Sequence, residues 1–126
     1  ETWRVAIECA GFTVKSHCIW DRGAHGMGDL KAAFAPKHDV FWFATKGVFQ
    51  FPGKRPVSVM QAMRPSRDAT PHPTAKPTNL MRDLCKSLCP AGGHVCDPFL
   101  GSGSSGEAAI AEGMQFTGIE LDETYY

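Results

Sequence analysis

The sequence predicts an α/β fold in which helices cover a mainly parallel sheet. Two apolar runs, at residues 94–99 and 115–121, are typical of buried strands, and a helical segment at 104–112 lies between them. A strand, a helix and a second strand in this order form a parallel βαβ unit. A further amphipathic helix precedes the first of these strands, so we expect one layered domain over residues 1–126, incomplete at both ends.

The first half of the chain predicts a similar alternation of elements. Gly11 follows an amphipathic segment at the position of a helix C-cap, and Pro36 ends a short helical stretch. The predicted elements are, in order, a helix, a strand, a glycine-punctuated loop, a short helix and a strand, at residues 1–10, 12–20, 21–28, 29–36 and 40–45.

A proline-rich connection separates the two halves. Residues 48–79 contain six prolines, so we expect a long loop with one short helix or strand near 57–63. Five basic residues and no acid lie within residues 40–67, and the loop-rich segment 47–71 is therefore a candidate for contact with a phosphate backbone. Ordinary solvated loop charge is an equally good interpretation. The helix after Pro77 has one apolar face, formed by Leu80, Met81, Leu84, Cys85 and Leu88.

Composition excludes several classes of protein. Five cysteines without a C-x-x-C pair indicate neither a disulfide framework nor a zinc ribbon. Cys85 and Cys89 stand one helical turn apart, which is more typical of buried reduced cysteines than of metal ligands. No apolar run is long enough to span a bilayer and no signal-peptide pattern is present, so we expect a cytoplasmic protein without a metal site.

The loop after the strand at 94–99 predicts a nucleotide-like ligand. Glycines at 101, 103 and 106 allow positive backbone dihedrals and a close approach of the main chain to a ligand. The helix that follows would direct its first amides at the same ligand. This G-x-G-x-x-G spacing alone is a weak signal for a dinucleotide.

A carboxylate at the end of this strand changes the predicted ligand. Asp97 lies four residues before Gly101, where it would repel a pyrophosphate but attract an ammonium or a sulfonium group. Glu120 lies 23 residues after Asp97, close to the interval at which an acidic residue accepts ribose hydroxyls in nucleotide-binding α/β units. We therefore predict S-adenosylmethionine as the cofactor.

Three motifs together resemble a known family of enzymes. They are His-Pro-Thr-Ala-Lys-Pro at 72–77, Asp-Pro-Phe-Leu-Gly-Ser-Gly-Ser-Ser-Gly at 97–106 and Gly-Ile-Glu at 118–120. The combination is similar to the DNA amino-methyltransferases that modify adenine N6 or cytosine N4, in the permuted group whose catalytic elements precede the cofactor elements. The residues Ile19 to Gly23, with Met27 and Gly28, are similar to the middle region of that group.

The resemblance implies a Rossmann-like, S-adenosylmethionine-dependent methyltransferase fold with residues 72–126 as its cofactor-binding half. It implies that Glu120 holds the ribose hydroxyls and that Thr74 and Lys76 meet the methionine carboxylate. Around the methionine part of the cofactor it places Asp97, Phe99, Gly101, Ser102 and Gly103. Ser104 is a further predicted cofactor-binding residue. The substrate implied is double-stranded DNA, and the activity is site-specific methylation of the kind found in restriction-modification systems.

One expected motif does not occur in this sequence. The family uses an Asp/Asn/Ser-Pro-Pro-aromatic tetrapeptide to hold the target amine, and no proline here is followed by another. We therefore assign no catalytic residue, expect a fragment that begins after the tetrapeptide, and expect the isolated chain to be inactive. The alternatives are a non-catalytic relative that binds cofactor or DNA and, with less support, a dinucleotide-binding oxidoreductase. The sequence does not distinguish adenine from cytosine or indicate a restriction endonuclease partner.

Overall fold

A computed structural model of the chain describes residues 2–64 and 75–123. The chain divides into two compact units, one formed by residues 1–50 with 57–61 and the other by residues 51–56 with 62–126. Within the described ranges, no helix has the length and apolar character needed to cross a membrane.

The first unit is a three-stranded sheet with one helix. Helix α1 (Thr2–Cys9) precedes strands β1 (Thr13–Asp21), β2 (His38–Thr45) and β3 (Val59–Gln61). Their order in the sheet is β2-β1-β3, with β2 antiparallel to β1 and β3 parallel to it. The element predicted near 57–63 is therefore a strand. The antiparallel β2 departs from the expected parallel arrangement because an irregular loop, and no crossover helix, joins it to β1.

The short helix expected at 29–36 does not form, and that prediction was wrong. The segment has a single turn, in which the Asp29 carboxylate accepts hydrogen bonds from the amides of Lys31 and Ala32 at 2.9 and 3.2 Å. Leu30 and Phe34 are exposed, so no apolar face is buried to support a helix this short. The aspartate side chain satisfies the amides that a helix would otherwise leave unpaired.

The second unit contains the predicted βαβ arrangement. Helix α2 (Thr78–Leu88) is followed by β4 (His94–Asp97), α3 (Ser104–Ala111) and β5 (Gln115–Gly118). Strands β4 and β5 are parallel, with His94 opposite Gln115 and Asp97 opposite Gly118. Both strands end earlier than predicted, because the chain turns into a loop after Asp97 and after Gly118.

The core of this unit lies where α2 packs on α3 and α3 packs on the two strands. Its buried members are Cys85, Ala108, Ala109 and Met114, and half-buried Val95 and Phe116 pack against them. The two alanines are fully buried and bring α3 close to its neighbours. Cys85 is a packing residue whose thiol pKa is raised by burial. The described residues contain no group of three or more potential metal ligands.

Gly106 has a different role from the one that the glycine spacing predicts. It lies inside α3 and is not among the glycines with a positive φ, so the positive dihedral expected at this position was wrong. A Cβ at this position would stand 2.7 Å from the Phe116 ring. The missing side chain therefore allows α3 to pack directly on β5.

We expect Gly106→Ala to destabilise the protein by about 1–3 kcal/mol, because the added methyl group overlaps the Phe116 ring. Urea unfolding of the full-length protein measures the loss. Gly53→Ala is the matched control, since a Cβ at Gly53 meets nothing within 4 Å. Equal stability of both variants would contradict this packing role.

Candidate functional site

The candidate site lies at the carboxyl ends of β4 and β5. The ladder between these strands continues past their last residues, since the Ile119 amide donates to the Asp97 carbonyl at 2.8 Å and the Leu100 amide donates to the Ile119 carbonyl at 2.9 Å. The chain segments that carry Asp97 and Glu120 thus leave the sheet side by side. In α/β proteins with parallel strands, this is the edge at which ligands bind.

Asp97 is held by the loop that follows it. One carboxylate oxygen accepts a hydrogen bond from the Phe99 amide at 2.9 Å, and the other accepts one from the Ser105 hydroxyl at 2.5 Å. Ser105 is buried in the first turn of α3. The pair ties the end of β4 to the start of α3, so the carboxylate has a set orientation.

Ser105 belongs to the candidate site through its hydrogen bond to Asp97, and the sequence did not predict it. The prediction selected the neighbouring Ser104, which is half-buried and has no hydrogen bond to Asp97 among the described contacts. The side chains of the two serines leave α3 in different directions, and that of Ser105 reaches the Asp97 carboxylate. The eight-residue separation of Ser105 from Asp97 could have predicted the contact. A loop followed by the first turn of a helix can bring a helix residue back beside the end of the preceding strand.

Glu120 holds the other side of the same loop. One of its carboxylate oxygens accepts a hydrogen bond from the Gly101 amide at 2.6 Å. The other oxygen accepts bonds from the amides of Leu121 and Asp122, both at 2.9 Å. The Asp122 amide and then the Gly101 amide lower the pKa of Glu120 below its ordinary value, so the side chain is an anion with acceptor oxygens.

The loop between these carboxylates depends on two glycines. Gly101 and Gly103 have φ values of +52° and +77°, in the left-handed region that other residues rarely adopt. A bond of 3.0 Å from the Gly103 amide to the Leu100 carbonyl closes the turn. Gly103 is the N-cap of α3, where no side chain caps the helix. Ser102 is exposed at the loop, and Phe99 is 87% exposed.

The start of α2 lies beside this loop. The Thr78 hydroxyl donates to the Glu107 carboxylate at 3.2 Å, which joins the first residue of α2 to the first turn of α3. Pro77 is buried as the N-cap of α2, and Lys76 precedes it as an exposed residue. The predicted cofactor residue Thr74 lies outside the described residues.

Negative and positive groups lie at different places along this edge of the sheet. Asp97 and Glu120 supply acceptor oxygens at the strand ends. The start of α2, with Lys76, and the start of α3 supply the positive ends of two helix dipoles. The arrangement suits a ligand that has a cationic group and hydroxyl groups as well as a carboxylate.

His25 and the basic residues within 40–67 are exposed where the structure describes them. His25 is an exposed residue of the first unit, and one of its ring nitrogens lies 3.2 Å from the Gly26 carbonyl. Within residues 40–67, the described basic residues are Lys46, Lys54, Arg55 and Arg64. Arg67 lies outside the described residues.

The chain matches a known protein family over its whole length. A family model described as DNA methylase matches residues 1–126. The Escherichia coli (strain K12) protein named "Putative methylase YubD" is 33% identical over 127 residues, which cover 100% of this chain and 53% of that protein. The chain thus spans about half the length of this curated relative.

Solved structures show the same fold. The M1.HpyAVI–SAM complex has a TM-score of 0.79 at 22% identity, over 99% of this chain and 67% of that chain. The cytosine-N4-specific PvuII DNA methyltransferase also has a TM-score of 0.79, at 17% identity, over 98% of this chain and 53% of that chain. At these identities the likeness establishes the layered α/β methyltransferase fold.

We expect Ser105→Ala to destabilise the protein by about 1 kcal/mol, because one oxygen of the half-buried Asp97 loses its donor. Thermal or urea unfolding measures the change. Ser102→Ala is the control, since this exposed serine should change stability by less than about 0.5 kcal/mol. A loss no larger than that of the control would show that the hydroxyl does not hold the carboxylate.

Glu120 should make stability depend on pH in acid. Because its pKa is lowered in the folded protein, its stabilising effect is fully present above the ordinary value of 4.5 and is lost as the pH falls through the folded value. We therefore expect Glu120→Gln to be less stable than wild type at neutral pH, with the difference shrinking below pH 4.5. Unfolding midpoints over this range measure it, and a constant difference would contradict the prediction.

Proposed function

Since the chain belongs to the N6/N4 DNA methylase family, we propose that it forms the cofactor-binding portion of a site-specific DNA methyltransferase. The reaction is transfer of a methyl group from S-adenosylmethionine to the exocyclic amine of adenine, at N6, or of cytosine, at N4. The observation that carries the proposal is the pair of carboxylates, Asp97 and Glu120, that hold the two sides of one glycine loop.

The acceptor groups at the strand ends fit the amino-acid part and the nucleoside part of this cofactor. Asp97 is an acceptor suited to the ammonium of the methionine portion, and Glu120 is suited to the ribose hydroxyls. Asp97 accepts two hydrogen bonds, from an amide and a hydroxyl, and Glu120 accepts three from amides. Each carboxylate can accept about four, so both retain free lone pairs. The carboxylates therefore hold the loop and still have capacity for a ligand.

The start of α2 would receive the carboxylate of the methionine portion. Lys76 is exposed just before the buried Pro77, and the helix dipole adds positive potential at the same point. Thr74 belongs to the same proposed group by its position in the motif. Gly101 and Gly103 allow a close approach of the main chain, while Ser102, Ser104 and the exposed Phe99 ring would border the ligand.

S-adenosylmethionine, when bound, supplies a methyl group on a positively charged sulfonium, which an amine nitrogen accepts. The residues named above would bind and orient the cofactor. Exposed basic residues such as Lys46, Lys54 and Arg55 are candidates for contact with the DNA backbone. An amine inside a duplex is reached by extruding its base.

Cofactor binding to the full-length protein should depend on the charge of Asp97. We expect Asp97→Asn to raise the Kd for S-adenosylmethionine at least tenfold, because a charge-assisted hydrogen bond of about 1.5–3 kcal/mol is lost. Isothermal titration calorimetry measures the Kd, with Asp83→Ala on the exposed side of α2 as the control. An unchanged Kd in Asp97→Asn would contradict the assignment of this carboxylate.

The reaction itself is tested by methyl transfer. The full-length protein, incubated with duplex DNA and S-adenosylmethionine labelled in its methyl group, should give labelled DNA. Chromatography of the digested nucleosides then separates N6-methyladenine from N4-methylcytosine. Cofactor binding without labelled DNA would favour the non-catalytic relative, whereas binding of a dinucleotide alone would favour the oxidoreductase.

A further inference from the structure

We infer that Thr78 and Glu107 act as positioning residues for the cofactor, an inference that rests on the proposed function. The two side chains meet at 3.2 Å, with the threonine hydroxyl as donor and the glutamate carboxylate as acceptor. This pair, the latch, joins the start of α2 to the start of α3. We propose that it aligns the segment that would bind the methionine carboxylate with the loop that would bind the rest of the cofactor.

The latch is connected to both of the segments that it would align. The Glu107 amide donates to the Gly103 carbonyl at 2.9 Å, so the residue is anchored in the glycine loop through its main chain. Thr78 follows Lys76 and Pro77 directly in the chain. One side-chain hydrogen bond therefore links the two parts of the proposed site, which are otherwise separated by 20 or more residues of sequence.

A second contact holds the same two helices further along. Glu112 at the end of α3 accepts a bond from Arg82 at 2.6 Å and lies 3.4 Å from the ammonium of Lys86. Its side chain is only 12% exposed, and the hydrogen bond from Arg82 is the main cause of its lowered pKa. We call this group of Arg82, Lys86 and Glu112 the distal clamp. Together with the buried cysteine and alanines of the core, it maintains the packing of α2 on α3.

The two contacts also define how the helices are directed. The earlier residue of α2 contacts the earlier residue of α3, and the later residues of both helices contact each other. The helices therefore run in the same general direction, and their starts lie at the same edge. With the distal clamp and the core intact, loss of the latch would let the start of α2 move without separating the helices.

This arrangement predicts separate effects on stability and on cofactor affinity. The latch is exposed, so its contribution to the free energy of unfolding is small. A displacement of Lys76 relative to Asp97 would nevertheless weaken a ligand that contacts both groups at once. The effect should appear in the Kd and KM for the cofactor, while kcat and the KM for DNA stay near their wild-type values.

The test uses substitutions that remove or retain the hydrogen bond in the full-length protein. Thr78→Val and Glu107→Ala remove it, and we expect each to raise the Kd for S-adenosylmethionine about three- to tenfold. Thr78→Ser and Glu107→Gln retain a donor and an acceptor and should restore a Kd close to that of wild type. Arg82→Gln is the matched control in the distal clamp, and it should lower the unfolding temperature with little change in Kd.

Calorimetry with wild type first separates this inference from the function on which it rests. If wild type binds no S-adenosylmethionine, the proposed function fails. If wild type binds and both Thr78→Val and Glu107→Ala bind equally well, the positioning role is overturned and the proposed function stands. The role is also overturned if Glu107→Gln behaves like Glu107→Ala, because charge and not the hydrogen bond would then be responsible.

Discussion

The glycine loop between β4 and α3 depends on a carboxylate at each of its sides. Asp97 accepts bonds from Phe99 and Ser105, and Glu120 accepts one from Gly101. Because Asp97 ends β4 and Glu120 follows the neighbouring parallel strand β5, the pairing of these strands determines where both acids lie. The loop, the helix start and the acceptor groups of the proposed cofactor site are therefore consequences of one strand pairing and of the hydrogen bonds at its end.

Packing behind the loop supports the same edge. Gly106 and the two buried alanines allow α3 to lie directly on β5, and the Phe116 ring fills the space that a side chain at Gly106 would need. The start of α3 is thereby placed against the strand ends, where its first turn supplies Ser105 and Glu107. Polar residues that define the site and apolar residues that define the core thus alternate within one short helix.

Much of this unit could be predicted from the sequence. The strand-loop-helix-strand order, the acids at Asp97 and Glu120 and the helix after Pro77 follow from local apolar patterns and from glycine and proline positions. The first unit was less predictable. The antiparallel pairing of β2 and the missing helix at 29–36 depend on what each segment packs against, and a pattern within the segment does not report that.

The sequence by itself predicted the chemical character of the candidate site, because the acids and glycines favour a ligand with a cationic group, and the family resemblance adds a lysine for a carboxylate. Only the tertiary structure decided which side chains meet. Ser105 rather than Ser104 contacts Asp97, Gly106 serves packing rather than backbone freedom, and Thr78 reaches Glu107 across 29 residues of sequence. Such contacts depend on the direction of each side chain from its helix and on the approach of one helix to another. Both are set when the elements pack together.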